Sequence, residues 1–396
     1  MTGRRIAVIG AGVGGLAVAA FLHRAGRDVT LFERFAAPRA VGSGLVIQPV
    51  GLAVLDALGA GQVARAHGAA VARMRGHDGA RRVLAVSYPA DAPGLAMHRA
   101  SLFHALWQVV QGMGVPVVTD ATVTAAPLVG GQRHLMGASG EYGAFDLVID
   151  ASGAASALSP LRARALPFGA IWGHVPWPAG TDLRRDELAQ AYQGAARMAG
   201  ILPIGPLPGD ATPRAAVFWS MPVAALDQWT GADLAGWKAQ VTALWPATAS
   251  FLKGITDTAQ MTPARYTHGT LARPYAAGIV HIGDAAHRAS PQLGQGANMA
   301  LLDAAALAGA IATNPWEDAL PAYAQARRWH VRSYQGLSAA FTPMYQSDSW
   351  VLPALRNHLL APASEWPIVR QMLTRLVAGN LMHPLAGAQM PAFNAS

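Results

Sequence analysis

Arg5-Ile6-Ala7-Val8-Ile9-Gly10-Ala11-Gly12-Val13-Gly14-Gly15-Leu16 begins as an apolar run of strand length and stops at a glycine cluster. Leu16 to Ala25 then supplies helix formers with apolar residues on successive turns (Leu16, Ala19, Ala20, Leu22), and Gly26 stands where a left-handed cap ends a helix. Asp28 to Phe32 reads as a second buried strand. Strand, helix and strand within about 30 residues make a βαβ unit, whose right-handed crossover sets the two strands parallel. Inside it Gly10, Gly12, Gly14 and Gly15 fit the pattern G-x-G-x-x-G. Gly10 permits the tight turn, Gly12 removes a side chain that would block a pyrophosphate, and Gly15 lets helix and sheet approach closely. Backbone amides at the helix N-terminus then meet the phosphate charge. Glu33 follows 18 residues after Gly15, where a carboxylate accepts hydrogen bonds from ribose hydroxyls and repels a 2′-phosphate. The unit therefore suits FAD or NAD rather than NADP. A glycine-rich turn with a solvated Glu33–Arg34 pair is the plainer alternative, and the context outweighs it.

Outward from this unit, 396 residues allow two to three domains. Hydrophobic residues are 52% and charged residues 13% of the chain, which excludes wholesale disorder. The absence of cysteine removes disulfides, thiolate metal sites, cysteine nucleophiles and iron–sulfur clusters together, and agrees with a cytoplasmic location. Thirty basic residues against 22 acidic ones give a net charge of +8, but they form no dense run. That argues against nucleic acid and for a weak positive field favouring anionic cofactors or substrates. The glycine punctuation near the N-terminus, continuing into Asp28–Glu33, reads as a mature fold rather than a secretion signal. Ala304 to Ala312 is too short an apolar stretch to cross a bilayer, so no membrane span is expected.

Gly51 to Leu58 and Arg99 to Gln111 have helical spacing, whereas Val115 to Val118 and Leu147 to Ile149 are strand-like. Between Phe168 and Val223 the pattern changes to short apolar and aromatic runs (Phe168–Val175, Ile201–Ile204, Ala215–Met221) broken by Pro and Gly, as in an antiparallel sheet. Gly278 to Gly283 returns to the buried-strand pattern, a long helix is expected from about Gly296 to Ala312, and the chain beyond Tyr334 reads as mostly helical. The expected class is α/β: a Rossmann-like dinucleotide domain with a parallel sheet, a mainly antiparallel substrate domain, and a helical C-terminus. The boundaries expected are 1–72, 95–167 and 263–335 for the first domain, 73–94 and 168–262 for the second, and 336–396 for the third.

A second motif follows the strand at 278–282: Gly283-Asp284-Ala285-Ala286-His287, then Pro291-Gln292-Leu293-Gly294-Gln295-Gly296-Ala297-Asn298, leading into Met299-Ala300-Leu301-Leu302-Asp303-Ala304. Here the sequence resembles the flavoprotein monooxygenases of the aromatic hydroxylase class, related to para-hydroxybenzoate hydroxylase. The first glycine motif, Glu33-Arg34, Gly42 to Gly59 and Arg99 carry the likeness too; it extends to about residue 335 and fades between 168 and 262. The physics stands beside the name. Asp284, at the carboxyl end of a strand, is placed to hold ribityl hydroxyls, and Gly283 removes a side chain that would collide with the cofactor. Pro291 and Gly294 shape a rigid wall. The helix from Gly296 directs its positive end at the pyrimidine edge of the flavin, where negative charge accumulates on reduction. Gln295, Ala297 and Asn298 complete the expected cofactor set. No acid or base is assigned; His287, Pro291 and Gly294 are the candidates beside the reacting atoms, and for His287 a structural role under the flavin loop is the stronger reading. Asp303 either caps or orients elements near the cofactor or is a solvated helical acid, two readings the sequence supports equally.

The family carries a DG pair after a mid-chain strand, where this sequence has Asp150-Ala151-Ser152-Gly153. Ser152 brings no charge, which puts the usual nicotinamide contact in doubt, and Asp150 is a candidate substitute that strand alternation aims differently. The resemblance implies FAD, NAD(P)H and O2, with hydroxylation through a flavin hydroperoxide. The FAD-dependent dehydrogenase or reductase is the alternative. Halogenation is disfavoured, because Trp172-Gly173-His174-Val175-Pro176-Trp177 lacks the W-x-W-x-I-P signature. No metal site is expected, since His281/His287 and His98/His104 come without H-E-x-x-H or a carboxylate–histidine set. Substrate contacts are expected from Trp172, His174, Phe218, Trp219 and Met221, whose aromatic, apolar character suits a hydrophobic small molecule. A homodimer is a further expectation.

Overall fold

The computed structural model describes residues 3–37, 43–138 and 140–386. Gly42, quoted above for the family likeness, lies outside them. Arg5–Ile9 and Asp28–Phe32 are parallel neighbours in register Ile6↔Val29, joined by the helix Val13–Arg24. The first strand's other neighbour is distant in sequence: Leu147–Asp150 pairs with it in parallel through Ile6↔Leu147, and Ile279–His281 pairs in turn with Leu147–Asp150. Val117–Val118 and an antiparallel strand Tyr275–Ala276 complete a six-stranded sheet. Val8, Leu31 and Val280 are fully buried beneath the helices on one face of this sheet, and Val148 on the other face packs against Val123, Leu135 and Phe145 of a separate antiparallel sheet. Gly26 takes the left-handed conformation at φ 71°, as the cap requires.

A second sheet has eight strands in the order His287–Arg288, Thr262–Thr270, Arg164–Pro176, Asp210–Pro222, Arg197–Leu207, Glu187–Gln193, Arg73–Asp78, Arg81–Ser87. All neighbours are antiparallel except Glu187–Gln193 with Arg73–Asp78. A small sheet of Gly44–Ile47, Gly94–His98 and Gly68–Val71 lies between the two large ones. Its Val46, Ala96 and Val71 pack on Leu202, Ile204 and Ala216 of the eight-stranded sheet. The layers touch closely at Gly44, where a Cβ would stand 2.8 Å from that of Ala216. The other face of the large sheet buries Ile171, Val217 and Trp219 under the helix Leu234–Leu244.

Gly296–Thr313 is long and apolar enough to cross a membrane, contrary to the estimate from Ala304–Ala312 alone, but 72% of it is buried inside the protein. Leu301, Leu302 and Leu307 instead pack against Leu16, Ala20 and other residues of the core, which is where its hydropathy is used. The following helix runs unbroken from Trp316 to Tyr345, so the boundary expected at 335/336 falls within one element. Nothing around Tyr334 interrupts helical geometry, and Pro343 stands only in its last turn.

Candidate active site

The first turn is shaped by what glycine lacks. Gly10 has φ +97°, and a Cβ there would meet the Ala151 carbonyl oxygen at 2.9 Å. At Gly15 a Cβ would lie 1.8 Å from the Gly10 oxygen, and at Gly14 it would reach the Ala300 side chain at 3.4 Å. Gly12 differs, since nothing lies within 4 Å of its Cβ position, so its missing side chain leaves space at the amino end of the helix. Glu33 is buried: the Ala11 N–H donates to Oε2 at 2.7 Å and the Phe35 N–H to Oε1 at 3.1 Å. These bonds fix the carboxylate beside the turn while each oxygen keeps further acceptor capacity. Arg34 is exposed and stacks over Phe35.

The second turn converges on the first. A Cβ at Gly283 (φ +57°) would stand 3.2 Å from that of Ala300, the residue that Gly14 also faces. Asp303 fixes this loop from below. Its Oδ2 accepts from the Gly283 N–H at 2.9 Å and from His287 Nε2 at 2.6 Å, and its Oδ1 accepts from Arg327 Nε at 2.8 Å. Burial alone pushes the Asp303 carboxyl upward in pKa, but the His287 and Arg327 charges outweigh it and hold the group below the usual carboxylate range. His287 is buried with its Nε2 committed to this anchor. Arg327 also donates to the Pro384 carbonyl and to His330 Nδ1, and His330 donates from Nε2 to the Gly379 carbonyl.

Asp284 is exposed at the carboxyl end of Ile279–His281. Glu33 ends the strand three places along the same sheet, roughly 14 Å away at 4.8 Å per strand. Between them Pro291–Leu293 forms a 3-10 turn, Gly294 turns left-handed at φ +62°, and the helix starting at Gly296 has no side-chain cap. Its first N–H groups therefore keep their donor capacity and the positive end of the helix dipole. Two members of the expected cofactor set use their side chains elsewhere. Asn298 accepts from the Gln48 N–H at 2.8 Å and donates to the Val46 and Gly294 carbonyls, and Gln295 donates to the Val377 carbonyl at 3.1 Å. For Asn298 only backbone is left to face a ligand, while Gln295 keeps its Oε1 without a partner.

The period of two along a strand separates the substrate candidates. Trp172 and Phe218 stack at 4.4 Å on the face toward the small sheet, and His174 lies there also, its ring 4.9 Å from that of His98. Trp219 is buried on the opposite face beneath Leu234–Leu244, with Met221 packed against the same core. That corrects the expectation for Trp219 and Met221: adjacent positions of one strand cannot share a face. The inward face gains residues that sequence reasoning did not single out. Tyr266 accepts a hydrogen bond from Trp172 Nε1 at 2.8 Å, and burial raises its hydroxyl pKa to about 12. His98 caps the helix Arg99–Gly112 by accepting from the Ala100 N–H at 3.1 Å, and Arg214 donates to His174 Nδ1 at 3.2 Å. Burial, then the neighbouring His174, Arg214 and Arg99, bring His98 down to about 4; burial and Arg214 lower His174 as well. Arg99 is exposed at the helix start, its N–H bonded to the Ser43 carbonyl. Of these, the sequence marks His174 as a substrate candidate and His98 only through its spacing from His104 and its adjacency to Arg99; Tyr266 and Arg214 carry no signal.

Asp150 does not replace the missing family aspartate. It is fully buried and accepts from Ser152 Oγ at 2.5 Å, Ser156 Oγ at 2.6 Å and His281 Nδ1 at 2.7 Å. Burial opposes its charge, yet these bonds lower its pKa overall. Ser152 thus spends its hydroxyl on Asp150. Among the described residues no group of His, Asp and Glu could hold a metal ion. A cavity of about 430 Å³, walled by Arg4, Asp146, Tyr275 and Trp316, lies at the amino ends of the six-stranded sheet, remote from both glycine turns.

Comparison with known proteins agrees with this geometry. The model of the FAD binding domain matches residues 4–130 and 224–334. The 3-amino-4-hydroxybenzoate 2-monooxygenase of Streptomyces cremeus is 31% identical over 339 residues, covering 78% of this chain and 79% of that protein. Among solved structures, the tetrameric form of 2-methyl-3-hydroxypyridine-5-carboxylic acid oxygenase superposes with a TM-score of 0.78 at 22% identity, over 98% of this chain and 100% of that one. A Klebsiella pneumoniae HpxO variant complexed with FAD gives 0.79 at 19% identity, over 96% and 100%. At those identities the two structures speak for the fold. With two glycine turns meeting at Ala300 and a family match that contains both of them, the chain belongs to the FAD-binding aromatic hydroxylase family and is an FAD-dependent monooxygenase.

Proposed function

We propose that this monooxygenase hydroxylates an aromatic small molecule carrying an acceptor oxygen, held between the small sheet and the inward face of the eight-stranded one. Bound FAD, reduced by NAD(P)H, supplies activation of O2; the protein's own residues bind, orient and exclude water. In this reading Gly10, Gly12, Gly14 and Gly15 admit the pyrophosphate, Glu33 takes the adenosine ribose, and Arg34 and Arg99 add charge at the cleft rim. Gly283 and Asp284 take the ribityl chain, while Pro291, Gly294, Gly296 and the backbone of Gln295, Ala297 and Asn298 flank the pyrimidine edge. The domain division given above applies, with the third boundary moved past Tyr345, and the enzyme works in the cytoplasm.

The carrying observation is the convergence of Gly14 and Gly283 on Ala300. It brings two phosphate- and sugar-binding turns, far apart in sequence, to one edge of one sheet, where ligands of such folds bind. The acceptor oxygen follows from the histidines. His98 Nδ1 accepts from a backbone N–H and His174 Nδ1 from a guanidinium, so both neutral rings carry hydrogen on Nε2 and are donors toward a ligand. Trp172, Phe218 and Tyr266 provide the aromatic wall. The relative from Streptomyces cremeus, named for oxygen insertion into an aminohydroxybenzoate, favours this over the dehydrogenase alternative. Purified protein should be yellow, oxidise NADH or NADPH faster when a hydroxyaromatic or quinolone substrate is added, and release a product heavier by one oxygen atom. Substrate-stimulated oxidation without oxygen in the product would favour the dehydrogenase.

A further inference from the structure

The helical stretch after Tyr345 buries a charged side chain and leaves large apolar ones exposed. In Val351–Leu355 and the π-helical turn Arg356–Leu360 that continues it, the residues facing the core are Pro353 and Arg356, the latter 1% exposed. It donates to Asp78 Oδ2 at 2.8 Å and to the Met344 and Gly194 carbonyls, and its guanidinium lies 5.0 Å from the ring centres of both Tyr192 and Tyr345. Val351, Leu355 and Leu359, spaced four apart, face outward instead. The helix Pro367–Ala378 packs Leu376 and Leu373 on the core with Met299 and Tyr334, yet it too leaves apolar side chains outside, Ile368 at 82% exposed and Met372. Trp350 and Trp366 precede the two stretches at 83% and 66% exposure. Both stretches are fastened to Arg81–Ser87, the edge strand of the eight-stranded sheet: Arg81 donates to the Asn357 carbonyl, Arg82 pairs with Glu365, and Thr374 donates to the Ser87 carbonyl. The sheet edge is thereby covered, and the helices present the apolar surface. Single exposed apolar residues are ordinary, but two tryptophans and five aliphatic or thioether side chains on adjoining helices mark an interaction site.

We propose that this face is the interface of a homodimer, a second copy of the chain seated on it about a two-fold axis. The seven side chains expose on the order of 900 Å², close to the roughly 800 Å² that each partner contributes to a stable protein interface. Tryptophans are the commonest anchors of such surfaces. The exposed charges around them are of both signs, Asp348 and Glu365 with Arg81, Arg82, Arg370 and Arg375, and the pairing of Arg82 with Glu365 leaves only a small positive excess beside the apolar surface. Attraction to an anionic membrane needs a rim dominated by Lys and Arg, which these helices do not have.

The proposal is tested on the full-length, FAD-loaded protein by light scattering and sedimentation at micromolar concentration. The expected mass is twice 41.2 kDa. The double variant Trp350→Ser, Ile368→Ser should sediment as a monomer, with the dimer dissociation constant raised at least 100-fold, while circular dichroism and the visible spectrum stay unchanged. A larger wild-type assembly that the double variant splits supports the same surface. A wild-type monomer, or a double variant that keeps the wild-type mass, overturns it. So does a monomer that co-floats with phosphatidylcholine/phosphatidylglycerol vesicles, which assigns the face to lipid. Colourless protein would count against the flavin reading and leave the mass measurement intact.

Discussion

The two turns that meet at Ala300 are built on opposite plans. Gly10–Gly15 is made by absence: three of its glycines face neighbours at 1.8 to 3.4 Å where a side chain would go, and one carboxylate, Glu33, closes it. Gly283–Asn298 is made by presence, through a buried net of Asp303, His287, Arg327, Asn298 and Gln48 drawn from four parts of the chain. The first plan rests on close approach, to Gly10 within the turn and to Ala151 and Ala300 beyond it, and fails sterically. The second is distributed and fails electrostatically, because removing one member leaves its partners buried without compensation.

The contrast sets the order of effects. Asp303→Asn should cost most, about 3–5 kcal/mol, because it leaves the Arg327 guanidinium buried without its counter-charge; chemical denaturation of the apoprotein measures it, and a loss under 1 kcal/mol would place the second turn's strength elsewhere. Gly15→Ala should cost about 3 kcal/mol through the contact with the Gly10 oxygen, and an unchanged unfolding midpoint would refute the steric plan. The buried net also carries a pH signature. Burial lowers His330 to about 4, so between pH 6.5 and 4 the unfolded chain binds a proton that the folded chain refuses. This group alone should therefore lower stability by about 2–3 kcal/mol as pH drops through that window, and His330→Gln should remove that share of the fall, leaving the share of His98, which is also near 4. Asn298→Ala should cost about 2 kcal/mol by orphaning the Gln48 N–H. Gly12→Val sharpens the comparison from the other side: with open space at its Cβ, apoprotein stability should change by less than about 0.5 kcal/mol. FAD retention, followed by fluorescence, should be lost in the same variant, and a variant that unfolds instead would make Gly12 structural.

The same contrast explains what could be read from sequence. The βαβ unit and the job of Gly15 were legible because the deciding contact, with the Gly10 oxygen, lies inside the motif; the turn at Gly10 was legible too, but its close neighbour Ala151, far along the chain, was not. The family segment from Gly283 to Asn298 was legible as a pattern, and of the two readings of Asp303 the orienting one has a concrete form in its bond to the Gly283 N–H. Arg327 and Gln48 were not foreseen, since nothing near them announces a partner 24 or 250 residues away. The substrate face was half legible. Aromatic content located the sheet, but the split between Trp172 and Phe218 on one side and Trp219 on the other required the alternation to be applied to register. Ser152 was recognised as a departure, while its bond to Asp150 needed coordinates.

The strand order of the parallel sheet also bears on how the protein is made. Arg5–Ile9 sits in the middle, yet its neighbour beginning at Leu147 leaves the ribosome about 140 residues later, and Ile279–His281 follows after more than 270. At 5–20 residues per second the amino-terminal unit waits roughly 10 to 50 seconds with an unpaired edge and half of its ligand cradle. Nascent chains cut off before Ile279 should therefore be a chaperone's clients, and the flavin can act as a folding ligand only once nearly three quarters of the polypeptide has emerged.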